Sequence, residues 1–206
     1  MTWQPGDTDT GLIRFAIACS TGIRIPRVQL IAATPRYGRA IRAVAELLTR
    51  LRAGFVFVGS VARAATLGEP VRAGAVDVLA AISSEQKNQV AMMASHRGFL
   101  VDRAETEATE ELDLVPLKFA DSEGDVRVHV LVASNALYGR MVAEGVEAAF
   151  EELSVRVPRA EDYAILLQLG GELAALEQLV ESPEFDRASY NRKVESIGLR
   201  ELVIPE

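Results

Sequence analysis

Three residues capable of binding or chemistry lie around two short apolar runs in the first half of the chain. Gly59 and Ser60 directly follow the run Phe55–Val58, and Asp77 lies in the next apolar run. A glycine allows a sharp turn against a ligand, and a serine is a favoured N-cap of a helix. The N–H groups of a helix start can bind phosphate, and a carboxylate can bind Mg²⁺. The pattern therefore predicts a nucleotide and metal corner at Gly59, Ser60 and Asp77.

A strand, a short helix, a loop and a second strand are needed to hold these residues in place. The strands are predicted over Phe55–Val58 and Val76–Ile82. A helix with one apolar face is predicted over Arg39–Arg52, with Gly54 as its stop signal. Another helix is expected after the second strand, capped by Ser83 or Ser84.

Two further apolar runs, Leu112–Phe119 and Val126–Ala133, flank a polar loop of hairpin length. The first carries Lys118, a candidate phosphate ligand, and the second carries Arg127 and His129. An imidazole can serve as a base near neutral pH, so His129 is a candidate catalytic residue, although no carboxylate partner can be identified from spacing. The alternative is structural, with His129 as a core or edge histidine and the two cations on a solvated face.

The order of Gly59-Ser60, a spacer and Asp77 resembles the nucleotidyltransferase superfamily. Its signature is a hydrophobic residue, Gly-Gly or Gly-Ser, a variable spacer, and Asp-x-Asp or Asp-x-Glu on the next strand. The resemblance implies an α/β (α+β) nucleotidyltransferase-like fold, in which a short mixed β-sheet is flanked by helices and followed by a helical C-terminal part. It also implies that a nucleoside triphosphate binds with Mg²⁺, which is held by two carboxylates on one strand and a third on another.

The chain departs from this signature at the metal ligands. If Asp77 is the second carboxylate of the pair, the first has become Ala75; if it is the first, the second has become Leu79. We prefer the former because the residues after Asp77 are apolar. His129 lies where the third carboxylate is expected, and a neutral imidazole is a poor Mg²⁺ ligand. Two hypotheses follow: a nucleotidyltransferase, or a catalytically inactive pseudoenzyme that serves as a binding or scaffold module.

The C-terminal third carries a second resemblance. The stretch from Val157 through Glu161 and Asp162 resembles the helix start Val-x-x-x-Glu-Asp-Leu-Ile of abortive-infection (AbiEii-type) toxin nucleotidyltransferases. Acidic residues suit the first turn of a helix, and Gly170-Gly171 is expected to end it. A last helix is predicted near Asp186–Ser196. The resemblance implies a toxin–antitoxin role, with an antitoxin-like protein partner and transfer of a nucleotide to RNA or protein.

Composition places the chain among globular proteins. It has 206 residues, of which 49% are hydrophobic and 25% charged. The single cysteine, Cys19, excludes an internal disulfide framework and a cysteine-based zinc site. No apolar run approaches the length of a membrane span, so we expect a cytoplasmic protein without a membrane partner. Only three of the 22 basic residues are lysines, a bias typical of GC-rich, for example bacterial, genomes.

Three parts are predicted along the chain. Residues 1–38 are punctuated by proline and glycine and show no lasting period, which favours an irregular extension. Residues 39–135 form the nucleotidyltransferase-like core. Residues 136–206 form the helical C-terminal part, which we expect to pack on the core.

Overall fold

The computed structural model of the chain describes residues 35–69, 74–101, 106, 113–150 and 152–204. Most of the predicted N-terminal extension lies outside these residues. The described residues belong to two compact units, one that ends at Arg159 and one that begins at Ala160. Within them, no helix combines the length and the apolar character needed to cross a bilayer.

The first unit is built on a mixed five-stranded sheet with the strand order β1, β2, β5, β4, β3. The neighbours β2 and β5 run parallel, and every other neighbouring pair is antiparallel. In chain order the strands are β1 (Phe55–Val58), β2 (Ala75–Ala80), β3 (Phe99–Leu100), β4 (Leu114–Phe119) and β5 (Val126–Val132). The predicted strands are thus confirmed, with shifts of one or two residues at their ends.

Among the described residues, four helices with defined bounds and a hairpin pack around this sheet. The helix α1 contacts β2, β5 and α3, and α3 also contacts β3 and β4, whereas α2 and α4 contact β1 and β2. The hairpin strand β7 lies beside β1. The elements are α1 (Pro35–Arg50), α2 (Gly59–Leu67), α3 (Ser84–Ser95), α4 (Ala136–Glu144), β6 (Val146–Phe150) and β7 (Leu153–Val157). The predicted fold class, a short mixed sheet flanked by helices, is confirmed.

The helix α1 differs from its prediction at both ends. It begins at Pro35 rather than Arg39, because proline suits the first turn of a helix, where its missing N–H costs nothing. It ends at Arg50, and Arg52 adopts the left-handed φ of 54°. Gly54 is therefore not the stop signal. A side chain at Gly54 would instead press against Val142 of α4.

The two faces of the central strands differ, and this difference creates the site. On one face of β2 and β5 the side chains are fully buried valines (Val76, Val78, Val128, Val130). The other face changes along the strands. Leu79 and Leu131 are buried at one end, Asp77 and His129 lie in the middle, and Ala75 and the exposed Arg127 lie at the opposite end. Because strand residues alternate between faces, all of these side chains belong to one surface.

The second unit is helical. Its helix α5 contacts α6 and α7, and a 3₁₀ turn over Arg200–Leu202 contacts α7. The helices are α5 (Ala160–Leu169), α6 (Leu173–Val180) and α7 (Arg187–Ser196). The predicted stop at Gly170-Gly171 and the predicted cap Asp186, which accepts from the Ser189 N–H at 2.9 Å, are both confirmed. The sheet unit runs on through α4 and the β6–β7 hairpin, beyond residue 135, where the predicted core ended.

Candidate functional site

Asp77 and His129 meet because β2 and β5 are parallel neighbours. The two residues are directly opposite each other in the register, and Asp77 Oδ1 lies 2.8 Å from His129 Nδ1. Their side chains are 17% and 25% exposed, so the pair is accessible from solvent. His129 does have a carboxylate partner, although none could be identified from spacing. The two residues predicted to be catalytic form one half-buried acid–base pair.

Gly59 fits tightly against this pair. It has a φ of 58°, a left-handed conformation that glycine adopts without strain. A Cβ atom at this position would overlap Oδ2 of Asp77. The glycine turn after β1 therefore brings backbone into direct contact with the carboxylate. Oδ1 of Asp77 thus lies close to His129, and Oδ2 lies close to Gly59.

Ser60 has a different role from the one predicted. The helix α2 begins at Gly59, and its N-cap is Val58, so Ser60 lies in the first turn and is not the cap. The turn comes one residue early because Gly59 itself takes the left-handed conformation. The Ser60 hydroxyl instead donates to the carbonyl oxygen of Ala75, at 3.3 Å. This bond joins the first turn of α2 to the start of β2. We call the face that carries Ala75, Asp77, Arg127 and His129 the polar face, and its end at Ala75 and the exposed Arg127 the open end.

Tyr37 supports the start of β2 and was not recognised from the sequence. Its hydroxyl accepts from the backbone N–H of Gly74 at 2.8 Å. Burial raises the pKa of this hydroxyl, and the nearby charge of Asp77 acts in the same direction. The spacing of Tyr37, Ala40, Ile41 and Val44 is that of one helical face and would have revealed that the helix starts before Arg39.

Lys118 lies on the same face as the acid–base pair. On β4, Pro116 is opposite His129 and Lys118 is opposite Arg127. Directly opposed residues of neighbouring strands point to the same side of the sheet. Lys118 is therefore on the polar face, level with Arg127 and Ala75 at its open end. It lies two strands away from Ala75.

The donor set at this corner does not fit Mg²⁺. The ion favours octahedral coordination by hard oxygen ligands. Asp77 is the one carboxylate in the corner; one of its oxygens faces an imidazole nitrogen and the other faces Gly59. Across the described part of the chain, no group of three or more His, Cys, Asp or Glu side chains is placed to hold a metal ion. Asp77, the predicted metal ligand, contacts His129, and its role as a metal ligand stays a prediction.

The acidic pair of the second resemblance lies in the helical unit. Asp162 is fully buried, and its Oδ2 accepts from Lys193 Nζ at 2.7 Å. Glu161 Oε1 accepts from the N–H of Asp186, at 3.3 Å. Both acids thus hold elements of this unit together, α5 to α7 and to the cap of α7. Neither contact indicates a ligand.

Comparisons with known proteins find a likeness in structure but none in sequence. The chain matches no model of a known protein family, and no curated protein sequence matches it. Among solved structures it is similar to an antigenic nucleotidyltransferase-like protein from Paracoccidioides brasiliensis, at 12% sequence identity. The likeness has a TM-score of 0.49 and covers 80% of this chain and 90% of that one. The chemistry of the corner must therefore be argued from its own side chains.

Proposed function

We propose that the corner formed by Gly59, Ser60, Asp77 and His129 binds a nucleoside triphosphate, and that the chain acts as a binding module and not as a metal-dependent transferase. The supporting observation is the contact of Asp77 with His129 at 2.8 Å, with Gly59 against the other carboxylate oxygen. Two-metal transfer depends on several free carboxylate oxygens that bridge ions to phosphate. Of the four corner residues only Asp77 has a carboxylate, and its Oδ1 already contacts His129.

The features that favour a nucleotide are the glycine turn and the helix that follows it. The nine-residue α2 has no acidic residue in its first turn, and its cap Val58 makes no side-chain hydrogen bond. The N-terminus of such a helix carries a partial positive charge that attracts phosphate. The phosphates would lie beside Ser60 and extend towards Lys118 along the open end of the polar face. Ser60 would then contribute its hydroxyl, and Lys118 its charge.

A second candidate function is nucleotidyl transfer with Asp77 and His129 as an acid–base pair. A carboxylate within hydrogen-bond distance of an imidazole orients the ring and stabilises its charged form, which is the arrangement of many general bases. Such a protein would act on RNA or protein and would be neutralised by an antitoxin-like partner. This candidate requires turnover, whereas the binding module requires affinity alone.

The experiment measures thermal unfolding with each nucleoside triphosphate, with Mg²⁺ or Mn²⁺ and with EDTA. A ligand at 100 times its Kd stabilises the native state by about 2.7 kcal/mol. The binding module predicts stabilisation of the wild type in EDTA and a weaker effect in Asp77→Asn, because an amide holds the His129 ring in place less firmly than the carboxylate does. Asp125→Asn makes the same chemical change at an exposed residue of the β4–β5 loop and should behave as wild type.

The other outcomes separate the hypotheses. Stabilisation that requires the metal and disappears in Asp77→Asn would support a metal-dependent enzyme and contradict the module. Transfer of a nucleotide to RNA or protein that is lost in Asp77→Asn would support the acid–base candidate. No stabilisation by any nucleotide would overturn both nucleotide hypotheses.

A further inference from the structure

Two cations oppose each other on the polar face of the sheet. Lys118 on β4 and Arg127 on β5 are directly cross-strand in the antiparallel register. Like charges in this arrangement repel each other and destabilise the pairing. Among the described residues, neither side chain forms a hydrogen bond or an ion pair. Lys118 and Arg127 thus form a pair of positive charges that no described acid neutralises, which we call the cationic row.

The cationic row adjoins the corner. Arg127 lies two residues from His129 on β5, so both side chains are on one face. Arg127 is also opposite Ala75 of β2, whose carbonyl accepts the Ser60 hydroxyl. Neighbouring strands are about 4.8 Å apart, so Lys118, Arg127 and Ala75 span about 10 Å of the sheet. An elongated anion that starts beside Ser60 would run across the row.

The first turn of α2 is a weaker anion site than the row. The carboxylate of Asp77 already lies against Gly59, at the positive end of that helix. A phosphate placed directly against Gly59 would meet this negative charge. On the neighbouring strands β5 and β4 the local charge is positive, because Arg127 and Lys118 lie side by side and pair with no acid among the described residues.

We infer that Lys118 and Arg127 bind the polyphosphate of a nucleotide directly, without a divalent cation. The binding of a nucleoside rests on the proposed function, whereas the binding of a polyphosphate anion by Lys118 and Arg127 does not. A metal-dependent corner needs ions because its carboxylates repel phosphate. Here one carboxylate is paired with an imidazole, and two cations supply the compensating charge. Arginine suits this role, since its planar fork can donate two hydrogen bonds to one phosphate group.

The test is calorimetric titration with inorganic tripolyphosphate in EDTA. The wild type, Lys118→Ala, Arg127→Ala and Arg42→Ala are compared, since Arg42 is an exposed arginine on α1. We expect saturable binding to the wild type and to Arg42→Ala, and a loss of about tenfold or more in affinity in each cationic-row variant. Binding should weaken as salt rises. Thermal unfolding checks the fold, and the row variants should be at least as stable as wild type because a repulsion is removed.

The outcomes keep this inference apart from the proposed function. Absence of tripolyphosphate binding, or equal binding by all variants, would overturn the inference while nucleotide binding with Mg²⁺ could still be found. Tripolyphosphate binding that depends on the row, with no greater affinity for any nucleoside triphosphate, would support the inference and contradict the nucleotide site. Tighter binding of a nucleotide, again lost in the row variants, would support both.

Discussion

Each of the two units holds a carboxylate paired with a cationic or protonatable side chain, and the two pairs differ in their exposure to solvent. In the sheet unit, Asp77 and His129 are 2.8 Å apart and 17% and 25% exposed. In the helical unit, Asp162 and Lys193 are 2.7 Å apart and 0% and 14% exposed. Oδ1 of Asp162 is buried without a hydrogen-bond partner in the described part of the chain.

The difference separates a structural pair from a pair that can meet a ligand. Lys193 joins α7 to α5 through Asp162, whose side chain is fully buried. Both side chains of the Asp77–His129 pair are open to solvent. The similarity of Asp162 to a family motif therefore concerns the helical framework, whereas Asp77 belongs to a surface suited to chemistry or binding.

The largest effect is expected from breaking the buried pair. Lys193→Met leaves the carboxylate of Asp162 buried without this cation, and the free energy of unfolding should fall by about 3–5 kcal/mol. Urea denaturation measures the change. Adding Asp162→Asn removes the isolated charge and should restore more than half of the loss. A loss below about 1 kcal/mol in the single variant would contradict a structural role.

A smaller loss of stability is expected when a methyl group is added at Gly59, beside Asp77. Gly59→Ala should cost about 1–3 kcal/mol, because it strains a left-handed residue and drives a methyl group into the carboxylate. Gly68→Ala is the matched control, since Gly68 has a φ of 66° with no atom near the added methyl group. Denaturant unfolding of both variants isolates the contact with Asp77. Equal losses would show that Gly59 does not approach Asp77 closely.

The open pair should tolerate substitution better than the buried one. Asp77→Asn and His129→Gln should each change the free energy of unfolding by about 1 kcal/mol, since one half-exposed hydrogen bond is weakened. Their effect on nucleotide binding should be larger than their effect on stability. Parallel unfolding and binding measurements check this. A loss of stability as large as that of Lys193→Met would make Asp77 a structural residue like Asp162.

The smallest effect is expected at a third pair, in which the Arg39 side chain is 42% exposed and the Asp121 side chain 6% exposed. Arg39 donates two hydrogen bonds to Asp121, at 2.7 and 2.8 Å, and with the N–H of Glu123 lowers the pKa of this carboxyl to about 2. The unfolded state takes up this proton near pH 4 and the folded state only near pH 2. The stabilisation is therefore complete above about pH 4 and is lost as the pH falls to about 2.

An NMR titration of the Asp121 carboxyl carbon checks this pKa directly. Unfolding of Asp121→Asn between pH 2 and 5 provides the comparison, because the variant should lack this contribution to the pH dependence of stability. A midpoint near pH 4 for the carboxyl group would contradict the paired geometry at the β4–β5 loop.

The sequence predicted the strands and helices whose ends are marked by neighbouring residues, such as a glycine or a capping serine. The strand Phe55–Val58 is a short apolar run closed by a glycine, and α3 starts at Ser83 with a capping box completed by Gln86. By contrast, β6 reads Val-Glu-Ala-Ala-Phe and is largely exposed, so neither apolar alternation nor a turn signal marks it. The hairpin exists because its partner strand β7 lies beside β1, a tertiary contact.

The site was predicted residue by residue, but its pairing was not. The types and positions of Asp77 and His129 singled them out as site residues. Their contact depends on the parallel pairing of strands that lie 52 residues apart in the sequence, which no spacing rule encodes. The same holds for Lys118 with Arg127, whose opposition follows from the register of the β4–β5 hairpin. Strand register is set by tertiary packing and turn geometry together.

The most direct test of the central claim, that this corner lacks the ligands for a divalent ion, is calorimetric titration of the wild type with Mn²⁺ alone. Ala75→Asp combined with His129→Asp is the positive control, because Ala75, Asp77 and His129 share one face of the sheet. We expect no saturable binding to the wild type and saturable binding to the doubly substituted protein. Saturable binding of Mn²⁺ to the wild type that disappears in Asp77→Asn would contradict the central claim.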